Sequence, residues 1–123
     1  MIKICFLKKQ NFYTGFESSG HAGSQLPAKI RNQLKEPEQY GNIFCSAVSV
    51  LVYHCQIGLM QVEKIPSERI LLREGTNDFK LKLLNKTDYS KAQKYFINFL
   101  LTLKQLQKKI DNTIIIEEAI DVP

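Results

Sequence analysis

The residues here that could do nucleophilic chemistry are three thiols and two imidazoles: Cys5, Cys45, Cys55, His21 and His54. Of the thiols, Cys45 has the most suggestive surroundings. It sits in Gly41-Asn42-Ile43-Phe44-Cys45-Ser46-Ala47-Val48-Ser49, where a polar segment gives way to an apolar run. Asn42 is a good helix N-cap, and Gly58 suits a helix C-terminus. Residues 42–59 are therefore expected to form a helix with Cys45 at its third position. The positive end of the helix dipole would lower the thiol pKa and raise the thiolate fraction. Unbonded amides of the first turn would hold an oxyanion. A buried cysteine is more often a small core residue, so this signal is weak alone.

A nucleophile of this kind needs a base. His54 is nine residues on, and nine helical residues turn by about 900° and rise by about 13 Å, which puts it out of reach on the opposite face. His21 is under no such constraint. It lies in Gly20-His21-Ala22, after a strand-like segment and before a polar stretch. A loop at the end of a rigid strand is where side chains are commonly presented for chemistry.

The elements that must position these two residues can be read from pattern. Residues 2–7 alternate and read as a strand. Residues 11–18, with Phe12, Tyr13 and Phe16, read as a second strand hairpinned to it. Residues 23–41 are polar and bounded by prolines, and are expected to form a flexible lid-like insertion, with a helical turn or two over 28–35. Residues 42–59 are apolar on almost every side, which predicts a helix buried all round. Residues 69–73 and 78–84 flank Glu74-Gly75-Thr76-Asn77 and read as a hairpin. Thr87 or Asp88 is expected to cap a long helix whose apolar stripe is Ala92, Phe96, Phe99, Leu103, Leu106 and Ile110. Residues 112–117 close the chain as a strand. The predicted order is ββαββαβ: one α+β domain over residues 1–123, a small two-layer sandwich with two main helices packed on a mixed or antiparallel sheet.

Composition narrows the functional classes. At 123 residues, 44% apolar and 24% charged, the chain matches a single globular domain rather than a disordered one. No apolar run approaches the roughly 20 residues of a membrane helix. The first residues carry their positive charge after the apolar stretch, which is not a signal-peptide pattern. The expected compartment is the cytoplasm. An odd cysteine count argues against a disulfide framework. No C-x-x-C pair is present, and two scattered histidines do not make a zinc site. The net charge of +5 comes from lysines spread along the sequence, so it predicts a solvated surface rather than a nucleic-acid face. Tyr95, Phe96 and Phe99 stand at helical spacing and read as core rather than a stacking platform.

Taken together, Gly20-His21-Ala22 and the block from Gly41 to Ser49 resemble the ribosomal-processing cysteine protease family (Prp). Its pattern is Gly-His-Ala followed by an Asp/Asn-Ile-Val-Cys-Ala-Ala-x-Ser-like block. The resemblance implies a dimeric cysteine endopeptidase that removes an N-terminal extension from a large-subunit ribosomal protein, with a Cys–His dyad and no cofactor or metal. Carried over, Cys45 is the nucleophile and His21 the general base. Asn42, Ser49, Gly20 and Ala22 are candidates for support of the site or contact with substrate. This chain departs from the pattern in three ways: a longer segment between His21 and Cys45, Phe44 in place of a smaller β-branched residue, and Gly41 directly before Asn42. The competing reading is a non-catalytic, basic ribosome-associated or RNA-binding dimer that keeps the fold.

Overall fold

The computed structural model describes residues 2–20, 37–75, 78–109 and 114–122, with the backbone alone over 37–46. Strand β1 (Ile2–Lys9) turns at Gln10, whose φ is 57°, into β2 (Phe12–Gly20). The two pair antiparallel with Phe6 opposite Phe16, and the register shifts between Leu7 and Lys8. Strands β3 (Ile70–Glu74) and β4 (Asp78–Leu83) form the second hairpin. The last strand, β5 (Ile114–Ile120), lies parallel to β1. The result is one five-stranded mixed sheet in the order β3-β4-β2-β1-β5. Helices α1 (Pro37–Ile57) and α2 (Tyr89–Lys109) pack on it. This is the predicted α+β sandwich with the predicted element order.

Burial alternates along the strands as the pleat requires. Ile2, Ile4 and Phe6 of β1, Phe16 of β2, Leu81 and Leu83 of β4 and Ile114 of β5 face the helices and are buried. The helices answer with Val48, Val52 and Cys55 from α1 and Ala92, Phe96, Phe99 and Leu103 from α2. Phe16 sits at the centre, its ring 4.9 Å from that of Phe99 and 5.8 Å from that of Phe79, centroid to centroid. Beside it, Gly15 admits β4: a Cβ at this position would run into the carbonyl of Leu81.

Three expectations need correction. Helix α1 begins at Pro37, not at Asn42. Proline suits a first helical position because its φ is already helical and its missing N–H has no partner to lose. Good helix formers then carry the helix through Gly41, whose interior cost is only about 1 kcal/mol. Residues 37–41 of the expected lid are thus helical, and its remainder, 23–36, lies outside the described residues. Nor is α1 buried all round. Val48, Val52 and Cys55 form one buried stripe, while Val50, Tyr53 and Ile57 are 65%, 53% and 47% exposed. Finally, Thr87 and Asp88 belong to a 3-10 turn, Lys86–Asp88, that leads into α2, and the cap of that turn is Asn85, whose carboxamide oxygen accepts from the Thr87 N–H at 3.0 Å. Asp88 is buried instead against Arg69, at 2.9 Å. At the other end of α1, Gly58 opens a π-helical turn, Gly58–Val62, and the Tyr95 ring lies where a Cβ on Gly58 would be.

The chain after β5 is tied back across the sheet. Asp121 is buried, accepts from the Thr14 hydroxyl at 2.7 Å, and pairs with the Lys82 ammonium at 2.5 Å. Its N–H bonds the Lys8 carbonyl, at 2.6 Å. Removing one partner of such a pair leaves the other charge poorly solvated. Lys82 keeps its bond to the Val122 carbonyl and some access to water. Asp121→Ala is therefore expected to lower unfolding free energy by about 2–3 kcal/mol, below the range for a fully buried pair. Urea denaturation measures it.

Candidate active site

Gly20, Asn42, Cys45 and Ser49 can be traced to their supporting elements. Gly20 ends β2 opposite Ile2, with φ 92°, a backbone region that glycine enters without penalty. His21 and Ala22 follow it in the chain and lie outside the described residues. Cys45 is the ninth residue of α1 and Asn42 the sixth, counted from Pro37. Ser49, four residues beyond Cys45, is exposed, so it does not serve close packing against the sheet. By helical register, position 45 falls between the buried Val48–Val52 stripe and the exposed Ser49.

The start of α1 at Pro37 changes the expected chemistry. Eight residues separate Cys45 from the helix start, an axial distance of about 12 Å. The dipole's effect fades within the first turn. The amides around Cys45 belong to the interior hydrogen-bond ladder and are not free to hold an oxyanion. Asn42 is not the N-cap. The start of α1 therefore contributes little to activating the Cys45 thiol.

The described backbone brings the end of β2, at Gly20, and the N-terminal half of α1 to one end of the molecule. Ile2 pairs with both Gly20 and Ile114, so the end of β2 and the start of β5 share an edge of the sheet. Helix α2 finishes there, because the Gln107 side-chain amide donates to the Ile114 carbonyl at 3.0 Å. The helices run antiparallel: Gly58 meets Tyr95, and a crevice of about 140 Å³ is lined by Leu51 and Cys55 on one side and Phe99 and Thr102 on the other. The N-terminal half of α1, with Cys45, therefore runs toward the end at which β2 delivers Gly20. His54 stands exposed in the last turn of α1, at the far end of that helix from the Cys45 block.

The other two thiols are held in their protonated form. Burial pushes the Cys55 thiol up to about 12. Partial burial raises that of Cys5, and the nearby carboxylates of Glu117 and Glu17 add to it. Neither supplies a thiolate near neutral pH. Among the described residues, no three His, Cys, Asp or Glu side chains are grouped to hold a metal ion, and no helix is long and apolar enough to cross a membrane.

One feature at this end escaped the sequence reading. A groove of about 570 Å³ lies between residues 17–19 of β2 and the β3–β4 hairpin. Only the hairpin itself was visible as a signal. That its arms would flank the end of β2 depends on the β2–β4 pairing, which joins segments about 60 residues apart.

Known structures share this fold. The ribosomal processing protease Prp from S. aureus, solved with a covalently linked product peptide, superposes with a TM-score of 0.69 at 16% identity, over 97% of this chain and all of that one. The same protease with a substrate peptide gives 0.70 at 13% identity, with the same coverage. A protein from Streptococcus mutans gives 0.67 at 20% identity, covering 98% of this chain and 96% of its own. No curated protein sequence matches the chain. At these identities the solved structures speak for the fold. The family model for the cysteine protease Prp matches residues 1–115, a span that takes in both the Gly20-His21-Ala22 and the Cys45 blocks. With nearly the whole chain covered, this protein belongs to the Prp cysteine protease family.

Proposed function

We propose that the protein is a cysteine endopeptidase that trims an N-terminal extension from a large-subunit ribosomal protein, with Cys45 as nucleophile and His21 as general base. The observation that carries this reading is the family match over residues 1–115, which spans both blocks. The convergence of the β2 end and the Cys45 half of α1 on one edge of the sheet supports it.

The mechanism follows from the correction to α1. With the helix start about 12 Å away, the cysteine relies on its partner. His21 takes the thiol proton, or the pair rests as thiolate and imidazolium. The sulfur attacks the scissile carbonyl, and His21 returns the proton to the departing amine. Water, deprotonated by His21, then releases the acyl group. Gly20 and Ala22, the small residues on either side of His21 in the sequence, support the base. Ser49, exposed one turn beyond Cys45, touches the peptide in this reading, and Asn42, one turn before Cys45 in the helix, supports the site. The active form is a cytoplasmic homodimer. The exposed Val50, Tyr53 and Ile57 on α1 support that assembly, since they offer apolar area for a second copy to cover.

Incubation with the host's unprocessed ribosomal proteins tests the reading. Mass spectrometry should show one N-terminal truncation with the unmodified protein and none with Cys45→Ala or His21→Ala. Truncation by all three proteins would remove Cys45 and His21 from the chemistry, and truncation by none would remove the ribosomal substrate.

A further inference from the structure

We draw no further inference here: the strongest candidate, the outward apolar face that α1 presents at Val50, Tyr53 and Ile57, carries nothing beyond the homodimer already proposed, because nothing in the structure shows what else covers it.

Discussion

Cys45→Ala is expected to abolish peptide cleavage, and His21→Ala to reduce it nearly as far. Loss of a residue that acts as one unit with its partner typically costs about ten-thousand-fold or more in kcat. The near-equality of the two is the informative part. A cysteine at a helix start would keep some thiolate from the dipole after losing its histidine. Cys45 is the ninth residue of α1, so it has no such reserve. Single-turnover cleavage of a processed peptide, followed by mass spectrometry, gives both values. A His21→Ala protein that keeps a tenth or more of the activity would mean that another group activates the thiol.

The largest effect on stability is expected at Phe16. Its side chain is fully buried, and its ring contacts those of Phe6, Phe79, Phe96 and Phe99. It joins the second and first strands, the hairpin and α2. Phe16→Ala removes the area of a whole ring and leaves a cavity that four rigid neighbours cannot close, at a cost of roughly 3–5 kcal/mol. A domain of this size is stable by only about 5–15 kcal/mol, so much of the variant should unfold by 37 °C. Denaturant unfolding followed by far-UV circular dichroism measures the loss. A change below about 1 kcal/mol would mean that the aromatic cluster is less tightly packed than described.

Much of this architecture is legible in the residue pattern. Alternation in β1 and β2 and the stripe of α2 each have one buried face, and such faces write a period into the residues. Helix α1 was harder because its exposed face is also apolar. Val50, Tyr53 and Ile57 erase the contrast that would have shown which side meets the sheet. Its start was misplaced for a local reason: Asn42 and Pro37 both signal a helix N-terminus, and a glycine at 41 favoured the later one. The parallel pairing of β5 with β1 was beyond pattern reading, since it joins the two ends of the chain. The two blocks around His21 and Cys45 were legible because their residue types are chemically uncommon together. The groove was not, because Glu17, Ser19, Glu74 and Asp78 look like ordinary solvated strand residues until β2 and β4 pair.

The central claim is that Cys45 is a thiol activated by His21, and the rate of its alkylation against pH tests it most directly. Iodoacetamide is applied to the folded protein between pH 5 and 9, and labelling of each cysteine is followed by mass spectrometry. Burial raises the thiols of Cys5 and Cys55, and neighbouring carboxylates raise that of Cys5 further, so their rates should stay low and climb only at the alkaline end. Cys45 should label faster than either at pH 6, and His21→Ala should shift its profile toward that of an ordinary thiol. Labelling of Cys45 no faster than Cys5 at pH 6, or a Cys45 profile unchanged by His21→Ala, would contradict the account.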